Sequence, residues 1–167
     1  LYADLTSAAK EGAAKLVLAA GAVAGADALS AARVGGISKV TYTSRKPPHA
    51  WRGTPAEDVA DLDTLTKEIT LYEGAADEAA RQYPQNANVA ATIALAGAGF
   101  KKTKVRLVAD PKAMGNIHEV RAEGAFGVLD VEIRGMPLPD NPKTSTLAAH
   151  SVVAEIRRRA GPVEIGG

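Results

Sequence analysis

The chain has 167 residues, a length typical of one domain of ordinary size. Its 20 Lys and Arg residues nearly balance its 19 Asp and Glu residues, and the formal net charge is +1. This balance gives no electrostatic reason to expect nucleic acid or an anionic membrane surface as a partner. There are no cysteines, which excludes disulfides, thiolate metal sites and a cysteine nucleophile.

The start of the chain predicts neither a signal peptide nor a membrane anchor. Leu1 to Asp4 carry no basic stretch followed by an apolar one. No apolar run in the sequence reaches the roughly 18 residues of a membrane span. We therefore expect a cytoplasmic protein. Because the chain begins with Leu1 and not with Met, we also expect that Leu1 follows a cleavage, an artificial boundary or a further segment.

The first half of the chain alternates between helix and strand signals. Ala-rich stretches ended by Gly or Pro predict helices, and short apolar or β-branched runs predict strands. In chain order the predicted elements are a helix, a strand, a helix, a strand, a Pro-rich loop, a strand and a helix, at residues 4–14, 15–19, 26–33, 39–43, 45–56, 68–72 and 75–83.

The second half begins with a small-residue helix at 88–97, whose composition indicates close packing against a neighbour. Strands are predicted at 104–109, 116–122 and 128–134. Asp110-Pro111 with Gly115 and then Gly124 with Gly127 mark the turns between them, so the three strands predict an antiparallel meander with one face in water.

The last predicted helix begins near Pro142. Asn141 is the predicted N-cap and Pro142 the first helical residue. Apolar residues then recur at helical spacing, at Ala149, Val152, Val153 and Ile156. The helix ends in three arginines, which suit the negative end of its dipole.

A glycine-flanked turn, residues 21–25, stands between a predicted strand and a predicted helix. Such a turn lets backbone amides approach a phosphate or nicotinamide group. Its G-x-x-x-G pattern departs from G-x-G-x-x-G, and on the pattern alone close helix–strand packing is the better explanation. Ser44-Arg45, at the end of the next strand, lies where a nucleotide-binding unit selecting a 2′-phosphate places an arginine.

His118 is the strongest candidate for proton transfer. It lies on a predicted strand just after a tight turn, and a histidine can give or take a proton near neutral pH. The alternative, which the sequence alone favours, is a structural histidine on a strand that is satisfied by a neighbouring carboxylate. His49 is expected in a solvated loop and His150 in the middle of a helix. No two histidines have metal-ligand spacing, so we expect no metal.

Two further segments offer polar groups. Lys143 and Thr144 lie at the predicted N-terminus of the last helix, where free N–H groups favour a carboxylate or phosphate. Ordinary capping explains Asn141 and Pro142 but not a lysine at the positive end of a helix. Asn88 precedes the small-residue helix, where it either caps the helix or binds an amide ligand such as nicotinamide.

Read as strings, these motifs resemble the L-aspartate dehydrogenase family. The resemblance covers nearly the whole chain, in family order. It rests on GAVAGADAL at 21–29, VTYTSRKPP at 40–48, AWRGTPA at 50–56, YPQNANVAAT at 83–92, NIHE at 116–119 and LPDNPKTS at 138–145.

The resemblance implies an enzyme that uses NAD or NADP to oxidise L-aspartate to iminoaspartate. The product hydrolyses to oxaloacetate and ammonia or feeds NAD biosynthesis. By motif, His118 resembles the catalytic histidine, and Ala22 and Asn88 resemble cofactor contacts. Lys143 and Thr144 fall in the segment near the substrate. The family's catalytic domain is α+β, so we expect an open antiparallel or mixed sheet with helices packed on one face. The resemblance also implies a homodimer.

The family's N-terminal strand and glycine-rich phosphate loop do not occur in these 167 residues. Residues 1–22 resemble the trailing helix and strand of a Rossmann domain, and residues 23–167 the catalytic and dimerisation domain. We therefore expect this chain alone to be inactive. Two other classes stay open: a nucleotide-binding module without aspartate chemistry, and a non-catalytic dimerisation domain.

Overall fold

The computed structural model describes residues 2–86 and 88–163, apart from the side chains of Pro142 and Lys143. In this part of the chain, helices and strands follow one another as α1 (Tyr2–Glu11), α2 (Ala26–Gly35), β1 (Ile37–Lys46), β2 (Ile69–Ala75), α3 (Ala76–Gln82), α4 (Asn88–Ala96), β3 (Thr103–Ala109), β4 (Ile117–Gly124), β5 (Gly127–Arg134), β6 (Pro137–Leu138), β7 (Asn141–Ser145) and α5 (Thr146–Ala160). Short 3₁₀ turns occupy Pro48–Trp51 and Pro55–Asp58 in the predicted loop region.

The main sheet has five strands in the order β2-β3-β1-β4-β5. β1 runs parallel to β3, and the other pairs are antiparallel. The predicted fold class, an α+β domain with an open mixed sheet, is confirmed. The predicted three-strand meander is wrong, because β1 lies between β3 and β4, and of the three predicted strands β4 and β5 alone form a hairpin. β1 is largely buried, and a buried strand needs a partner on each side to satisfy its backbone groups.

One face of the sheet carries the core. The strand side chains on this face alternate with outward-facing ones, and α2, α3 and α4 pack against them. The sheet contributes the buried apolar residues Val40, Tyr42, Leu71, Val105, Leu107, Ala109, Val120 and Ala122. The opposite face carries ion pairs, such as those of Glu73 with Lys104 and Arg106.

Gly25, just before α2, shows why the 21–25 segment is rich in small residues. Its φ of +84° is left-handed, and an added Cβ would lie 3.2 Å from Val131 Cγ2. At this position close packing of the helix start on β5 requires glycine. The packing interpretation of the segment is therefore confirmed at Gly25.

Two predicted elements are wrong. Residues 14–20 have no regular secondary structure, and Leu16, Val17 and Leu18 are partly exposed. An apolar run becomes a strand only where another strand pairs with it, and none in the described part of the chain does. Residues 141–145 form β7, which pairs with β6. Helix α5 therefore begins at Thr146 and not near Pro142, with Ser145 as its N-cap.

The apolar stripe predicted for the last helix lies on α5 but is not buried. Val152, Val153 and Ile156 are 52%, 47% and 62% exposed. None of the described helices combines the length and the apolarity needed to span a bilayer.

Candidate active site

The candidate site lies at the edge where β1 ends and β4 begins. In the β1–β4 ladder Ser44 lies directly opposite His118. Because residues two apart on a strand share a face, Tyr42, Ser44 and Lys46 line the same side of β1 as His118 on β4. The parallel strand β3 ends at this edge too. The carboxyl ends of parallel strands are where α/β sheets commonly bind ligands.

His118 is held by a buried tyrosine. The Tyr42 hydroxyl oxygen lies 2.8 Å from His118 Nδ1. The two rings are nearly parallel, with an interplanar angle of 16° and centroids 6.0 Å apart. Tyr42 is fully buried and His118 is 5% exposed. Burial also raises the pKa of the Tyr42 hydroxyl, so this group stays protonated at every physiological pH.

The imidazole of His118 is neutral at pH 7. Burial, and then the positive charge of Lys46, lowers its pKa to about 4. A neutral imidazole has one N–H and one free lone pair. When Nδ1 carries the proton and donates it to the Tyr42 oxygen, Nε2 is free to accept a proton. When the hydroxyl donates to Nδ1, Nε2 carries the proton and can give it.

Lys46 brings a positive charge to the same face of this edge as His118. Its ammonium donates to Asn86 Oδ1 at 2.5 Å and lies 5.1 Å from the ring centroid of Trp51. Trp51 is itself buried and packs edge-to-face on Tyr83, with centroids 6.2 Å apart. Burial lowers the pKa of Lys46 to about 8, so the group is largely protonated at neutral pH.

Helix α4 points its N-terminus at the same edge. Gly97, just past its C-terminus, packs on Val40 at the start of β1, where an added Cβ would lie 3.3 Å from Val40 Cγ2. Asn86, just before its N-terminus, contacts Lys46 at the end of β1. The helix therefore runs antiparallel to β1, and this brings the exposed Asn88 to the His118 edge.

Ala22 lies elsewhere, beside a cleft of about 700 Å³ between the N-terminal segment, α2, α4 and α5. Gly21 and Val23, on either side of Ala22, line the cleft, as does Thr92, one turn after Asn88. The Gly21 N–H donates a hydrogen bond to Ser151 Oγ at 3.1 Å. His118 and Lys46 are not among the lining residues, so cleft and histidine are neighbouring but separate features.

Lys143 and Thr144 do not lie at a helix N-terminus, as the sequence predicted, but on β7. The prediction failed because an Asn-Pro pair suits a strand after a turn as well as a helix start. The Lys143 side chain lies outside the described residues. The β6–β7 hairpin follows directly on Gly135, whose N–H donates to the Asn116 carbonyl at 2.8 Å, next to the start of β4. The hairpin therefore leaves the sheet at the His118 end.

Arg45 cannot serve as a hook for a 2′-phosphate. It faces the opposite side of the sheet, where it forms ion pairs with Glu68, Asp110 and Glu119. Burial lowers the pKa of Arg45, but the hydrogen bonds to Glu68 and Glu119 and the charges of these carboxylates outweigh it, so that the pKa is raised overall. Three carboxylates around one guanidinium leave no net positive charge for an anion, so this interpretation is wrong.

His49 and His150 are both exposed, and the described residues contain no group of three His, Asp or Glu side chains that could hold a metal ion. The sequence interpretation missed Tyr42, Lys46, Asn86 and Trp51 as parts of the site. The available signal was the alternation of Tyr42, Ser44 and Lys46 on one strand face, which ends in a lysine on the apolar side.

Comparison with known proteins defines the class first: the chain is similar to the C-terminal domain of aspartate dehydrogenases. The family described as "Aspartate dehydrogenase, C-terminal" matches residues 27–159, and the chain belongs to that family. The L-aspartate dehydrogenases of Cupriavidus necator, Polaromonas sp. and Pseudomonas aeruginosa are 53%, 54% and 52% identical to it over 96%, 93% and 99% of the chain.

A solved structure shares the fold as well. The crystal structure of aspartate dehydrogenase from Thermotoga maritima is 31% identical, with a TM-score of 0.73 over 92% of this chain and 57% of that one. The chain spans 60%, 58% and 62% of the three curated relatives named above. What those longer proteins do as a whole is therefore a proposal for this chain.

Proposed function

We propose that this chain supplies the histidine side of an NAD- or NADP-dependent L-aspartate dehydrogenase. The reaction converts L-aspartate, water and oxidised nucleotide to oxaloacetate, ammonium, reduced nucleotide and a proton. Iminoaspartate is the intermediate product, and its use in NAD biosynthesis is part of the proposal. The observation that carries the proposal is His118, a buried, neutral histidine held at Nδ1 by Tyr42, in a chain of this family.

His118 is the proposed catalytic residue. Oxidation at the α-carbon needs a neutral amine, and hydrolysis of the imine needs a deprotonated water. Both steps require a group that accepts a proton in a site shielded from bulk water. Nε2 of His118 fits this role, because Tyr42 occupies the other ring nitrogen and thereby fixes the ring orientation.

The residues present fit a pyridine nucleotide. The cleft beside Ala22 has a volume within the range of small-ligand sites, and its wall at Ala19, Ala20, Gly21 and Ala24 consists of small side chains that let a flat ring approach the backbone. Ala22 and Asn88 would hold the nicotinamide end, Asn88 through its amide. When bound, the nucleotide supplies the hydride acceptor. NAD and NADP are both compatible with these residues.

The remaining assignments are part of the same proposal. Lys143 and Thr144 would bind the substrate from the hairpin at the His118 end. Residues 1–22 would belong to the nucleotide-binding domain and residues 23–167 to the catalytic and dimerisation domain of a homodimer. We place the enzyme in the cytoplasm, where aspartate and pyridine nucleotides are dissolved together.

The test uses the full-length protein carrying this chain. His118→Ala should lower turnover of L-aspartate roughly 100-fold or more, as expected for loss of a general base. Nucleotide affinity, measured by calorimetry, should stay unchanged. His150→Ala, which removes an exposed histidine, is the matched control and should keep full turnover. A His118→Ala enzyme that turns over aspartate at the wild-type rate would refute the assignment.

A further inference from the structure

Lys46 has no anionic partner among the described residues. Its ammonium donates to one amide oxygen, that of Asn86, and otherwise faces the Trp51 ring. No ion pair with a described carboxylate involves it, and burial is the only cause of its lowered pKa. Of the three N–H donors of the Lys46 ammonium, one thus donates to a neutral acceptor, the Asn86 amide oxygen.

The lack of a carboxylate partner is specific to Lys46, because the adjacent cation on β1 has several. Arg45 points to the other face and has three carboxylates around it, those of Glu68, Asp110 and Glu119. A cation removed from water is normally paired, because an unpaired one costs free energy. Lys46 lies on the same face as His118 and has no counter-ion among the described residues. A bound anion would therefore stabilise its ammonium.

We propose that Lys46 recognises one carboxylate of the acidic substrate, its ammonium binding this carboxylate next to His118. The proposal rests on the proposed function and makes it more specific, since it names what selects a dicarboxylic amino acid. Lys46 is only partly buried, so a ligand can reach it. The Asn86 amide orients the ammonium, and the N-terminus of α4 adds partial positive charge at the same edge.

The geometry also couples substrate binding to the histidine. The charge of Lys46 helps to keep His118 unprotonated in the absence of ligand. A carboxylate bound to the ammonium offsets that charge, and His118 becomes a stronger base when substrate is present. Recognition and proton transfer would thus be linked through a single pair of side chains.

The test compares Lys46→Met and Lys46→Arg in the full-length protein. Lys46→Met should raise KM for L-aspartate and the dissociation constant of succinate, a dicarboxylate without the amine, by roughly 10- to 100-fold, the range expected for a hydrogen bond to a charged group. Lys46→Arg keeps the charge and should recover part of the loss. Lys39→Met, at the exposed start of the same strand, is the matched control and should change neither constant.

Three readouts separate this role from a structural one. Nucleotide affinity should be the same in all variants, affinity for the uncharged analogue succinamide should be unaffected by Lys46→Met, and the NMR titration of His118 in Lys46→Met should move toward higher pH. Unchanged KM and succinate affinity in Lys46→Met would overturn the proposal, as would a wild-type protein that binds no dicarboxylate.

Failure of the proposed function has a different result. In that case wild-type protein does not oxidise aspartate, yet it binds succinate and loses this binding in Lys46→Met. That outcome leaves Lys46 as a carboxylate site and removes aspartate oxidation.

Discussion

Tyr42 and His118 form a buried pair across neighbouring strands, with the tyrosine hydroxyl 2.8 Å from Nδ1 of the imidazole. They are not directly opposite each other in the ladder, because His118 faces Ser44 and Tyr42 faces Val120. The contact is therefore a diagonal one, within the reach of two aromatic side chains on the same sheet face. This arrangement fixes which nitrogen of His118 is available to a substrate.

Tyr42→Phe should lower kcat about 10-fold with little effect on KM, because the imidazole loses the partner that fixes its orientation but the carboxylate site is intact. It should also cost about 1–2 kcal/mol of stability, since Nδ1 is left buried without a hydrogen bond. Steady-state kinetics and denaturant unfolding measure the two effects. Tyr72→Phe is the control, because the Tyr72 hydroxyl bonds the Ala75 carbonyl on edge strand β2. Equal kcat in Tyr42→Phe and Tyr72→Phe would contradict a positioning role.

Stability should fall as pH drops from about 6.5 to about 4. The pKa of His118 is about 4 in the folded protein and 6.5 in the unfolded chain, so the unfolded chain binds the proton first. The contribution is complete above pH 6.5 and lost below pH 4, and it amounts to about 3 kcal/mol. Unfolding free energies across this range, compared between wild type and His118→Gln, isolate it from the carboxylates. An identical slope in His118→Gln would show that His118 titrates normally in the fold.

Arg45→Met should destabilise the protein by about 2 kcal/mol, because it leaves Glu68, Asp110 and Glu119 without their shared cation. The Arg45 side chain is 17% exposed, so solvent replaces the lost pairs only in part. Arg134→Met is the control: Arg134 is 72% exposed and pairs only with Glu132 among the described residues, and the change should cost less than about 0.5 kcal/mol. The ratio of NADP to NAD affinity should stay the same in Arg45→Met. A selective loss of NADP binding would reinstate the phosphate-hook interpretation.

Gly25→Ala should cost about 1–2 kcal/mol. It forces an alanine into a left-handed conformation and puts its Cβ 3.2 Å from Val131 Cγ2. Gly35→Ala, at the other end of α2, should instead raise the free energy of unfolding. Nothing lies within 4 Å of the added Cβ and the residue is helical, so the higher helix propensity of alanine should stabilise the protein by about 0.5 kcal/mol. Thermal unfolding of both variants checks the difference. A neutral Gly25→Ala would show that this segment tolerates side chains.

Hydrophobic periodicity was sufficient to predict most of the elements. The small-residue helix at 88–97, the alternating strand 128–134 and the helix ended by Gly35-Gly36 all form as expected. These signals are local, since each depends on which residues lie on one face of one element. The strand order is not local. Nothing within 104–122 indicates that β1, some 60 residues earlier, separates β3 from β4.

The site was predictable only in part for the same reason. His118 stands out as a residue type on a strand, but its environment is supplied by β1 and by the loop before α4. In the sequence Lys46 looks like an ordinary charged residue at the end of a strand. Only the pairing of the strands shows that it lies on the core face of the sheet. The partners of a buried group depend on register and topology, which a periodicity argument does not contain.

The central position of β1 has a consequence for the order of folding. The bond between Tyr42 and His118 joins residues 76 positions apart, and the one between Lys46 and Asn86 joins residues 40 apart. Helices form within microseconds, whereas pairing of strands that are distant along the chain is slow. His118 therefore leaves water only when the β1–β4 ladder closes, and until then its imidazole keeps the pKa of about 6.5 of an exposed histidine. A collapsed but misregistered chain would carry a protonated imidazole at pH 5, so the charge state of His118 distinguishes the finished fold from its compact precursors.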